Sequence, residues 1–228
     1  MDALTLADEL ALLAHDDAGT NRLGWPGLDH GLAGALLLDL AVAGRVELVD
    51  DRLVVTDPAP VGRPLLDDAL ARIAGERKLR KPQDWVTRLA KDLPRRVLDG
   101  LVAAGVLRRE SDRVFWVVPR TRYPSPTGTE PAVETEARQR MWAAIVGDGP
   151  VPPRTAALLG LTRAVRLHRT LFGDLPRQRV ERRLDEIGAG DWGSAATRRA
   201  IEQTQAALLT ATTAATAAAI AGATAAGA

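Results

Sequence analysis

The chain has 228 residues, no cysteine and a formal net charge of +1. These values exclude a disulfide scaffold, a thiolate metal site and a cysteine nucleophile, and leave no global field to draw the chain to nucleic acid or to an anionic membrane. Any anion site must therefore be a local cluster, and with aromatics at only 4% the core must be built from Leu, Val and Ala.

The opening Met1-Asp2-Ala3-Leu4 has neither a basic stretch nor an apolar run, so no secretory signal is expected. Thr5-Leu6-Ala7-Asp8 reads as a capping box with Asp in the place usually held by Glu. Leu6, Leu10, Leu12 and Leu13 continue it as an amphipathic helix to about His15, closed by Asp16-Asp17-Ala18-Gly19. A polar loop, Thr20–Pro26, leads into Leu28–Ala43, which is apolar on nearly every side and so belongs in the middle of a core. After Gly44 the period changes to two, and Val46–Val49 and Arg52–Val55 around Asp50-Asp51 read as a hairpin.

A Pro-rich connector, Asp57–Pro64, precedes a helix near Leu65–Gly75, and the basic stretch Arg77-Lys78-Leu79-Arg80-Lys81 precedes another around Trp85–Ala90. Val97–Gly105 is expected to be a helix closed by glycine. Val106-Leu107-Arg108 and Val114–Val118 are expected to be strands flanking Glu110-Ser111-Asp112. This repeats the helix, Ala-Gly, hairpin order of Leu38–Val55. Pro119–Pro131 reads as a loop, and Pro131–Val146, Arg154–Phe172, Pro176–Ile187 and Ala195–Thr213 as helices. The uncharged end, Ala206–Ala228, has only Leu208, Leu209 and Ile220 as large apolar residues, whereas a membrane span needs about 20 strongly apolar ones. It is expected to be a helix fading into a flexible tail.

Few motifs suggest chemistry. Gly188–Gly193 matches G-x-G-x-x-G, but a charged helical stretch precedes it where a nucleotide site needs a strand, so it reads as a turn between helices. His15, His30 and His168 stand apart, without the i, i+4 pairing of a helical zinc site. The pairs Asp16-Asp17, Asp50-Asp51 and Asp67-Asp68 read as solvated acids, since sequence neighbours do not face each other on a helix. No catalytic residue, metal ligand or cofactor is expected, and the chain is not expected to be an enzyme. Arginine in excess over lysine, with abundant alanine, fits a high-GC bacterial genome.

The order of segments resembles the Golgi phosphoprotein 3 family. The resemblance rests on Leu4–Leu13, on Gly31–Ala41 with Gly44-Arg45-Val46, and on Pro60-Val61-Gly62 with Leu65–Leu70. Gln83–Val86 and Leu101–Leu107 extend it, and in all it covers about residues 3–215. It implies a mainly α fold, a single helical domain over residues 1–215 with a buried central helix and short β-hairpins, followed by an Ala-rich tail at 216–228. It also implies a peripheral membrane adaptor that binds a phosphoinositide head group through a tryptophan and a set of arginines. The tryptophan falls on Trp25; the arginine positions carry Ala33, Lys91 and Pro94.

The expected anion site is therefore Trp25 as a wall, with Arg22, Lys91, Arg95 and Arg96 supplying charge, and it is expected to be weaker than the family pattern. The hairpin of the resemblance, about Val106–Arg122, carries Phe115 and Trp116 as a membrane or oligomer surface. The expected partners are an anionic phospholipid head group, a membrane surface and a second copy of the chain. Nucleic acid is not expected, and the expected location is the cytoplasm with a peripheral place on the inner membrane face. The alternative is a winged-helix-like DNA-binding regulator, which needs a recognition helix with a basic exposed face.

Overall fold

The computed structural model describes residues 4–23, 27–114 and 118–190, with 203, 204, 206–208, 210 and 211 in a final helical stretch; the side chains of 112–120 lie outside that description. The first helix, α1 (Leu6–Leu13), starts on the expected capping box: the Thr5 hydroxyl accepts from the Asp8 amide at 3.1 Å, and the Asp8 carboxylate accepts from the Thr5 amide at 2.9 Å. The apolar helix α2 (Gly27–Val42) is buried except at Asp29, Asp39 and Val42, and α1, α4 (Pro82–Leu89), α5 (Leu93–Ala103) and α7 (Pro153–Ala164) pack around it. A helix with no polar stripe can be hidden only in this way.

Two Ala-Gly pairs turn helices into hairpins by the same device. After α2, the Gly44 amide bonds to Ala41 O at 3.0 Å and the Arg45 amide to Leu40 O at 2.9 Å. After α5, the Gly105 amide bonds to Val102 O at 3.0 Å and the Val106 amide to Leu101 O at 2.9 Å. Both are Schellman closures, which need a left-handed residue where only glycine is unstrained; φ is +67° at Gly44 and +73° at Gly105. Strands β1 (Val46–Val49) and β2 (Arg52–Val55) then form the expected hairpin, with Val46 opposite Val55 and Leu48 opposite Leu53. Asp50 and Asp51 take φ of 49° and 58°, the left-handed pair of a tight hairpin turn, so these acids are turn residues.

The second hairpin differs from the sequence reading. Val106 and Leu107 are buried and close α5, so they form no strand. Strand β3 is Glu110–Val114, including the Glu110-Ser111-Asp112 expected to be a turn, and β4 is Val118–Arg122, reaching past Pro119 into the expected loop. Glu110 pairs with Arg122 and Val114 with Val118; Phe115 and Trp116, between the strands in sequence, lie outside the described residues.

Prolines mark helix starts: α3 (Pro64–Ala74), α4, α5 and α7 each carry one in the first turn, where the missing N–H costs nothing. The remaining helices are α6 (Ala132–Val146), α8 (His168–Leu171) and α9 (Arg177–Ala189). The single helix expected over Arg154–Phe172 is instead α7 and α8, broken where Arg166 takes a φ of 63° and Val165 and Leu167 turn into the core. Gly188 lies inside α9 and Gly190 follows as its cap, while 191–193 lie outside the described residues. Among the described residues secondary structure is mainly helical, with two short antiparallel hairpins. Among the described residues no helix is long and apolar enough to cross a membrane.

Candidate functional site

The expected anion site draws on two regions of the fold. The first is the loop from α1 to α2. Its turn is tightly bonded: the Gly19 amide donates to Asp16 O at 2.7 Å, the Thr20 amide to the Asp16 carboxylate at 2.8 Å, and the Arg22 amide to Ala14 O at 2.8 Å. Gly19 sits against Tyr123 and Pro124, whose backbone leaves β4 at this point, and the Tyr123 amide donates to Gly19 O at 3.2 Å. Arg22 is therefore presented on a fixed loop, exposed, just before the N-terminus of α2. Trp25 lies outside the described residues.

Buried titratable groups lie under this loop. His15 donates to Ala11 O at 2.7 Å through Nδ1–H and meets the Tyr123 ring edge-on, with centroids 6.5 Å apart. Burial pushes its pKa down. Glu134 on α6 is pushed up to about 7 by burial, against the pull of Arg138, which donates to it at 2.7 Å. Arg22 is close enough to act on both, favouring the carboxylate of Glu134 and opposing protonation of His15.

The second region is the corner between α4 and α5. Asp92 turns it in a left-handed conformation, with φ at 58°. Lys91 and Arg95 are exposed and make no ion pair among the described residues. Arg96 is different: its guanidinium meets Asp68 of α3 at 2.9 Å. Consecutive helical residues point about 100° apart, and Arg96 is the one turned toward α3. Pro94 is half-buried, and Ala33 is fully buried within α2, leaving no basic side chain at either position.

A buried charge cluster that no sequence motif announces lies against α1. Glu9 lies 2.7 Å from Arg140 and 3.3 Å from Arg154, and Arg154 is also 3.8 Å from Asp39. Asp39 accepts from the Leu6 amide at 2.8 Å, thereby capping the first turn of α1 from another helix, and Arg154 bonds to Leu4 O. Burial raises the pKa of both acids, that of Asp39 to about 7, with Arg154 opposing the shift in each case. One signal was available: Asp39 is the sole charged residue between His30 and Arg45 in an otherwise apolar run.

A cavity of about 590 Å³ opens between α1, α3 and α5, walled by Leu4, Leu65 and Leu101 with Arg96 and Asp99 at its edge. Its polar groups are already engaged, Arg96 by Asp68 and Asp99 by Arg109 at 3.7 Å. Among the described residues no cluster of His, Asp and Glu could hold a metal ion. Burial of α2 also removes it as a DNA recognition helix.

The family model described as Golgi phosphoprotein 3 (GPP34) matches residues 6–204. A Vacuolar protein sorting-associated protein 74 from Eremothecium gossypii is 30% identical over a 137-residue alignment, which covers 49% of this chain and 41% of that protein. The alignment thus spans less than half of the relative.

Proposed function

Because the chain belongs to the Golgi phosphoprotein 3 family, we propose that it is a non-enzymatic peripheral membrane adaptor that holds the phosphate of an anionic lipid head group. The observation that carries this reading is the α4–α5 corner, where Lys91 and Arg95 stand exposed and unpaired among the described residues. Trp25 supplies a wall at the start of α2, whose amides and dipole favour an anion, and Arg22 approaches from the preceding loop. Arg96 contributes less, because an ion pair with Asp68 already occupies it. Lys91 brings charge without the planar fork of an arginine. Each charge-assisted contact missing at Ala33 and Pro94 costs about 1.5–3 kcal/mol, so affinity falls from micromolar toward millimolar.

Binding is accordingly expected to be weak, salt-sensitive and broad among anionic head groups. In co-sedimentation, the chain should pellet with anionic but not neutral vesicles at low salt and be largely released at physiological salt. Arg95→Ala should lower retention about fivefold, since a surface cation near an anionic bilayer contributes about 1 kcal/mol. Trp25→Ala should lower it as well, and Arg96→Ala should change it little. Tight binding confined to one phosphoinositide would contradict the expected weakness, and no anionic binding at any salt would overturn the proposal.

A further inference from the structure

Positive charge is concentrated in the segment between α3 and α5. Residues 76–91 hold Arg77, Lys78, Arg80, Lys81, Arg88 and Lys91 against only Glu76 and Asp84. Glu76 is bound by Arg80 at 3.0 Å and by Arg88 at 3.3 Å, so it does not neutralise the loop before α4. Arg77, Lys78 and Lys81 are exposed and make no ion pair among the described residues. Between them lies Leu79, 51% exposed.

This leucine is held in place. Arg52 of β2 donates to Leu79 O at 2.7 Å, and the Leu53 amide donates to Arg80 O at 2.9 Å, so the loop lies along the first hairpin almost as a third strand. An apolar side chain fixed outward among cations is costly in water and matches a surface that offers phosphates outside and hydrocarbon just beneath. Nucleic acid would satisfy the cations but give the leucine nothing. Val49 is exposed nearby, but Asp50 and Asp51 follow it directly, which disfavours its entry into an anionic layer.

We propose that the loop before α4 is a membrane-contact element, in which Leu79 enters the head-group boundary of an anionic bilayer while Arg77, Lys78 and Lys81 meet lipid phosphates. This rests on the anionic-membrane reading above and adds a surface to it.

The chain has no cysteine, so Leu79→Cys gives a single attachment point for an environment-sensitive fluorophore. Gln178→Cys on α9 serves as the control. The vesicles are phosphatidylcholine alone and phosphatidylcholine with phosphatidylserine. Emission at 79 should rise and shift to the blue with the anionic vesicles only, with no change at 178. Unlabelled Leu79→Ala should lose about fivefold in vesicle retention while keeping every charge. A silent label at 79 on protein that still pellets with anionic vesicles would overturn this surface and leave the head-group reading standing. Equal responses at 79 and 178 would likewise overturn it. Absence of pelleting with anionic vesicles would overturn both. A response at 79 to duplex DNA but not to vesicles would overturn it in favour of nucleic acid.

Discussion

Arg154→Met is expected to lower the melting temperature by about 6–12 °C, for a loss of about 3 kcal/mol. The substitution keeps the apolar stem and removes the cation shared by Glu9 and Asp39, which are buried to 7% and 9% side-chain exposure. Breaking a fully buried pair costs about 3–5 kcal/mol; Arg154 keeps 35% of its side chain in solvent, so the lower end applies. The first turn of α1 also loses the bond from Arg154 to Leu4 O.

The pH dependence follows from Asp39. Burial raises its pKa to about 7, so the folded chain binds a proton that the unfolded chain does not, between the ordinary carboxylate range and that value. Its contribution to stability therefore falls as pH rises through this window and is flat above it. Asp39→Asn should reduce that slope, leaving the contributions of the same sign from Glu134, Glu9 and Asp29, whose pKa values burial also raises. Combining Arg154→Met with Glu9→Gln and Asp39→Asn should restore much of the loss. A melting temperature for Arg154→Met within a degree or two of wild type would show that the cluster holds nothing together.

Gly19→Ala should shift the urea midpoint by an amount corresponding to about 2–5 kcal/mol. The φ of +73° is strained for alanine, and the added Cβ would lie 2.4 Å from the Pro124 nitrogen and from the Tyr123 carbonyl carbon. Both are backbone atoms and cannot swing aside. Gly128 has the same φ, but a Cβ there meets nothing within 4 Å, so Gly128→Ala should cost only the conformational part, about 1–2 kcal/mol. Similar midpoints for the two variants would show that the loop bearing Arg22 is not clamped against the exit of β4.

Features decided by local chemistry were legible in the sequence. The capping box at Thr5 and Asp8, the all-round apolar run of α2 and the left-handed pair Asp50-Asp51 each depend on neighbours in the chain. The second hairpin misled because Val106 and Leu107 look like strand residues, yet Gly105 commits them to closing α5. Partners distant in sequence were not legible: Arg140 binds Glu9 from 131 positions away, and Arg96 binds Asp68 from 28. The latter contact divides Arg95 from Arg96, which the sequence presents as one basic patch. The stretch from Arg77 to Lys81 was visible as charge, but only its contact with β2 shows Leu79 held outward. The head-group reading itself came from the order of family segments, since no single motif carries it.

The most direct measurement of the central claim is a crystal structure of the full chain with a soluble inositol phosphate. Phosphate density is expected between the Trp25 ring and the α4–α5 corner, within hydrogen-bond reach of Lys91 or Arg95, with Arg96 still on Asp68. Density held elsewhere, as in the cavity beside Arg63 and Arg96, or no density at saturating ligand, would contradict it.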